Sequence, residues 1–201
     1  MTYFRRRTKI ITSFSALVIV GAVIAFIVGS GGGVPQEFAD ARSRGALVAQ
    51  SIVLLSSEST ATLEEINRLD RQGRYSEALK LTESLMEKND TLRDKALELS
   101  EEIETMTRSL EKVNNDDAQQ IALESISNRL AMITELVSYS NHFEELTAVL
   151  QGKFNGTRVP DARPVNSIIN DINTQVEAIN NFDREAQGAI ERFDTIIEES
   201  A

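Results

Sequence analysis

Apolar positions recur at intervals of three and four residues along most of the chain, and one series is longer than the rest. Tyr75, Ala78, Thr82, Leu85, Asn89, Leu92, Ala96, Leu99, Ile103, Met106, Leu110 and Val113 form a heptad seam sustained for more than five heptads. The pattern predicts a helix over 75–113, packed nearly parallel or antiparallel to its neighbours. Asn89 interrupts the seam. A polar seam residue fixes register or partner choice, and Leu85 and Leu92 stay in phase across it, so the helix is expected to continue.

Three further periodic stretches flank this one. Pro35 suits a first helical turn, and Val48, Ile52, Leu55, Leu63, Ile66 and Leu69 mark the inner face of a helix over 35–70. Residues 56–62 are rich in hydroxyls, which compete for backbone hydrogen bonds, so a bend or fraying is expected there. Gly73 is the predicted stop, and Ser76 the cap of the next helix. Asp116 followed by Gln119 resembles a capping box opening a helix over 117–151, with Ile126, Leu130, Ile133, Val137, Phe143 and Leu150 as core candidates. A loop over 152–163 holds two glycines and a proline. Pro164 then opens a helix over 164–199, whose stripe is Ile168, Ile172, Val176, Ile179, Phe182, Ile190, Phe193 and Ile197.

The N-terminus reads differently. Residues 10–28 form 19 consecutive positions without a charge, about 28 Å of helix at the usual rise and close to a bilayer's hydrocarbon thickness. Arg5, Arg6, Arg7 and Lys9 precede the run, so residues 1–9 are expected to form a cytoplasmic basic tail, with everything after the span outside. The competing reading is a signal peptide cleaved near Ser30, which would release a secreted protein. Gly21, Ala25 and Gly29 recur every fourth residue and offer a ridge for transmembrane packing against another helix. Residues 29–34, rich in glycine, are read as a flexible tether, since the spacing of a phosphate-binding loop is missing. The expected fold class is therefore all-α: an N-terminal transmembrane helix, then an elongated up-down-up-down four-helix bundle over 35–201.

Composition narrows the chemistry. Three prolines and no tryptophan or cysteine suit long helices and leave no disulfide framework or thiolate metal site. Setting the four N-terminal cations apart from the net charge of −10 leaves −14 on the rest, which argues against nucleic acid as a partner. The sole histidine, His142, lies in no E-x-x-H spacing, so the di-iron arrangement of ferritin-like bundles is not expected. Adjacent carboxylates such as Glu101-Glu102 and Glu144-Glu145 diverge around a helix axis. With no constellation of nucleophile, base and orienting group, the chain reads as non-enzymatic and without cofactor or metal. On the last helix Asn166, Asn173, Asn180 and Gln187 line carboxamides along one face, read as solvated. Asn89-Asp90-Thr91 and Asn155-Gly156-Thr157 match the acceptor pattern for N-linked glycans.

The run Gln72-Gly73-Arg74-Tyr75-Ser76-Glu77-Ala78-Leu79 resembles the turn between the two helices of a tetratricopeptide repeat. It occurs once, over about eight residues, and the helix after it is too long for a repeat unit. The resemblance implies shared helical-hairpin chemistry.

Alternating helix directions would bring the first and third connections together at the end distal to the membrane. Six of the 17 basic residues beyond the tail would gather there: Arg68, Arg71, Arg74, Lys153, Arg158 and Arg163. Asp116, Asp117, Glu198 and Glu199 would occupy the opposite end. Cations at helix C-termini complement the macrodipole, but a basic tip also suits an acidic protein surface or an anionic envelope polymer. The function expected is a single-pass, membrane-anchored extracytoplasmic scaffold that binds a protein or envelope partner. The span and the seam also offer routes to homo-oligomers. The alternative is a ligand-sensing bundle acting through an associated membrane protein.

Overall fold

The computed structural model describes residues 34–157 and 159–200. The expected span over 10–28, the ridge of Gly21, Ala25 and Gly29, and the tip residue Arg158 lie outside the described residues. What is described is all-helical: α1 (Gln36–Gln72), α2 (Tyr75–Ser109), a 3-10 turn over Leu110–Lys112, α3 (Asp116–Phe154) and α4 (Val165–Glu199). At 37 residues, α1 is roughly 55 Å long.

The helix ends follow from local chemistry, with two departures from expectation. Gly73 closes α1 in the left-handed region at φ 73°, with its N–H on Asp70 O and that of Arg74 on Leu69 O. Ser76 does not cap α2. It lies inside the first turn, and the cap position falls to Arg74 without a side-chain bond. At α3 the cap moves back one residue. The Asn115 side chain accepts from the Ala118 N–H at 2.9 Å, and Gln119 turns away to donate to Val113 O. Asn115 in place of Asp116 is a modest change, because both residue types carry the acceptor a helix start requires.

Helix α1 runs unbroken through residues 56–62, where fraying was expected. The hydroxyls bond to carbonyls one turn back instead: Ser59 to Leu55 O, Thr60 to Ser56 O and Thr62 to Glu58 O. Such bonds satisfy the hydroxyls without displacing the helical ladder.

Helix α1 packs on α2, α2 on α3 and α3 on α4. Side chains show which ends meet. Glu37 at the start of α1 pairs with Lys112 after α2, Glu58 with Lys88 at mid-length, and Tyr75 at the start of α2 stacks on Phe154 at the end of α3. Ser125 Oγ in the first third of α3 donates to Ala186 O in the last half of α4. Helices α1 and α4 meet through Phe38 and Phe193, with ring centroids 5.4 Å apart.

One core runs through all four helices. Every seam position from Ala78 to Val113 is buried, whereas Tyr75 at the seam's start is exposed; the helix expected to reach 113 ends at Ser109, and Leu110 and Val113 continue the buried seam in and after the 3-10 turn. Asn89 is buried within a continuous helix, and its Nδ2 donates to Ser140 O on α3 at 3.1 Å. The stripe expected for α3 is displaced. Leu130 is exposed and Ile133 and Val137 only half-buried, because the buried face passes through Ala122, Ser125, Arg129, Met132 and Leu136. Leu55 on α1 and Phe182 on α4 are likewise at the margin of the core.

Gly45 on α1 sits where two helices approach. A Cβ there would stand 3.6 Å from both Glu102 Cβ and Leu99 Cδ1, ordinary van der Waals contact. Gly45→Ala should therefore stabilise the protein by about 0.5–1 kcal/mol through helix propensity and unfolded-state entropy. Urea unfolding would check this, and destabilisation would show that the helices approach more closely than described.

By length and composition α1 is also apolar enough to cross a membrane. Core helices of soluble proteins pass the same test. Among the described residues it is the one helix that does so.

Candidate functional site

The basic residues singled out in the sequence lie at the end of α1, the start of α2, the end of α3 and the loop before α4. Most of those described are already engaged by carboxylates. Arg68 forks onto Glu65 within α1, and Arg74 onto Glu77. Lys153 reaches across from α3 to Asp70 on α1 at 2.7 Å, which joins these two helix ends. Arg163 bonds Glu145 on α3 and Asp171 on α4 at 2.5 Å each and approaches His142 Nδ1 at 3.2 Å. These contacts hold the Arg163 guanidinium well above its ordinary value and the Glu145 carboxyl below its own. Arg163 thus fastens the α3–α4 loop to both helices, and His142 is one wall of that fastening.

Arg71 is the exception. It is exposed in the last turn of α1 and has no ion-pair partner among the described residues. The tip is therefore a mixed-charge surface with Arg71 projecting from it. Position along the chain located the cations, but not the acidic partners Asp70, Glu145 and Asp171, which only packing brings to them.

A second polar group lies inside the bundle and was not singled out from the sequence. Arg42 on α1, Arg129 on α3 and Asp183 on α4 are all buried. Arg42 grips Asp194 on α4 with two bonds of 2.6 and 2.7 Å, planar fork against carboxylate. Arg129 is 3% exposed. Burial pulls its guanidinium below the ordinary value, the charge of Asp183 opposes that fall, and the like charge of Arg42 adds to it. Burial raises the Asp183 carboxyl, against Arg129 and a 2.6 Å bond from Gln187 Nε2.

The Arg42–Asp194 fork ties α1 to α4, and about 16 Å further along α4 the charge of Asp183 acts on Arg129 of α3. A misregistered helix would strand a charge in the core, so these residues favour one alignment of three helices. The signal of Arg129 was present in the sequence, since it falls between Ser125 and Met132 at spacings of four and three.

A hydroxyl group of residues occupies the waist. Tyr139 on α3 is 1% exposed and its ring stacks on Phe143. Burial raises its phenol, and the Ser56 hydroxyl on α1 acts in the opposite direction.

No group of three or more histidine and acidic residues among those described could hold a metal ion. No family model matches the chain, and comparisons with curated proteins and with solved structures likewise return no match.

Proposed function

We propose that this chain is a membrane-anchored, extracytoplasmic helical scaffold whose outer surface binds a protein or envelope partner. The observation that carries the reading is the core itself. Side chains from all four helices fill it from Phe38 to Ile197, and the interior charges are matched by one another. An interior so occupied leaves recognition to the surface.

The end-to-end pairings of Glu37 with Lys112, Tyr75 with Phe154 and Phe38 with Phe193 support alternating helix directions, hence an up-down-up-down bundle. In that arrangement the turn at Gly73 and the loop after α3 share the end away from the membrane, and Arg71 projects there. Exposed Leu47 and Leu54, one heptad apart on α1, add apolar contact area on the flank. The four N-terminal cations before an uncharged run support an inward N-terminus and an outward body.

The test is protease added to intact spheroplasts, followed by cross-linking from a photoreactive residue at position 71. The body should be digested without lysis, and the cross-linker should capture the same partner repeatedly. A body protected until lysis would overturn the orientation. An accessible body with no reproducible adduct from position 71 would remove the tip as the docking surface.

A further inference from the structure

The two sequences matching the acceptor pattern for N-linked glycans occupy opposite environments. Asn89 is 5% exposed in the middle of α2, and its Nδ2 is committed to Ser140 O. Without unfolding of the helix, no enzyme reaches it. Asn155 stands where α3 ends, and Asn155, Gly156 and Thr157 are all exposed. The Asn155 side chain makes no hydrogen bond with described residues, so its amide is uncommitted.

The backbone turns away sharply at this point. Gly156 adopts φ 69°, a left-handed conformation suited to glycine, and a Cβ built there meets nothing within 4 Å. Among the described residues Thr157, the hydroxyl residue of the pattern, is tied by its N–H to Gly152 O at 2.8 Å and by a long 3.3 Å bond from Oγ1 to the same carbonyl. The acceptor amide and its hydroxyl partner are thus presented on an open turn.

We propose that Asn155 is a glycosylation site, taking its sugar from a polyprenyl-phosphate- or pyrophosphate-linked oligosaccharide. The Asn155 Nδ2 attacks the anomeric carbon. The C–N bond forms as the anomeric C–O bond to phosphate breaks, the lipid phosphate leaves with that electron pair, and Nδ2 loses one proton. In the cell this rests on the export reading, because the donor and enzyme act on the translocated side. Lys153 and Phe154 join this turn to Asp70 and Tyr75, so the glycan would stand at the margin of the α1–α2 turn.

The experiment uses the full chain in detergent, an oligosaccharyltransferase and its lipid-linked sugar, read by intact mass and peptide mapping. One glycan should be added at Asn155 and should be lost in Asn155→Gln and Thr157→Val, while Thr157→Ser retains it. No mass gain, with a control acceptor peptide modified in the same tube, would overturn the proposal, as would a glycan placed at Asn89. The chain recovered from its own membranes separates the two readings. An unmodified chain whose body is open to protease counts against glycosylation, whereas an unmodified chain with a protected body counts against export.

Discussion

Asp183→Ala is expected to cost about 1–3 kcal/mol in urea unfolding at neutral pH, because it removes the acceptor of the 2.6 Å bond from Gln187 and the charge that opposes the desolvation of Arg129, a loss held down by the burial penalty on the Asp183 carboxylate itself. Paired replacement gives the contrast that identifies the cause. Arg129→Met with Asp183→Leu removes both charges and keeps apolar volume, and should return stability to near or above the original. If the single variant loses less than about 1 kcal/mol, water reaches Arg129 and its site is not a dry one. The pH dependence has a definite sign. Burial raises the Asp183 carboxyl, so the folded state binds its proton more tightly than the unfolded chain. The contribution of this group is fully present below the ordinary aspartate range and declines as pH rises through the raised value. Asp183→Ala should lose that slope.

These buried charges mark the limit of what hydropathy along the chain reveals. The α2 seam was legible because large apolar residues fill nearly every position, so its phase is unambiguous. On α3 the same face is built from Ala118, Ala122, Ser125 and Arg129, which carry little hydropathy, while Leu123 and Leu130 stand outside and draw the pattern toward themselves. Hydropathy therefore pointed to a rotated face. An arginine in phase with the stripe could have been noticed. Its compensation could not, because Asp183 is 54 positions further along the chain and only the α3–α4 packing brings its charge to bear.

The tip behaved in the opposite way. Its cations were legible from their places near helix ends, and the macrodipole accounts for Arg71 and Lys153 in last turns. Charge clustering alone, however, overstated the free positive surface, since Lys153 serves Asp70 and Arg163 serves Glu145 and Asp171. Helix termini were read to within a few residues for a related reason. Gly73 and the prolines act through their own backbone geometry, whereas the choice between Asn115 and Asp116 as cap depends on where the chain enters the bundle.

Leu99→Asp is expected to be the most damaging single change on α2. Leu99 is 1% exposed at the centre of the seam, with Gly45 of α1 close against it. Removing the side chain alone, as in Leu99→Ala, should cost about 2–5 kcal/mol through lost transfer energy and a residual cavity. Aspartate adds a carboxylate with no buried partner, so the loss should exceed that of alanine and can abolish folding. Leu97 supplies the internal control. It lies two residues away, 200° around the helix, and is 59% exposed. Leu97→Asp should therefore change stability by no more than about 0.5 kcal/mol. The three variants, made in a chain beginning at Pro35 and followed by circular dichroism and urea unfolding, test helix phase as well as burial. The original chain should be strongly helical and unfold cooperatively without detergent. If Leu99→Asp and Leu97→Asp cost the same, α2 is rotated from its described position. If Leu99→Ala also costs less than about 1 kcal/mol, Leu99 is not in the core, and the seam packs against something other than these helices.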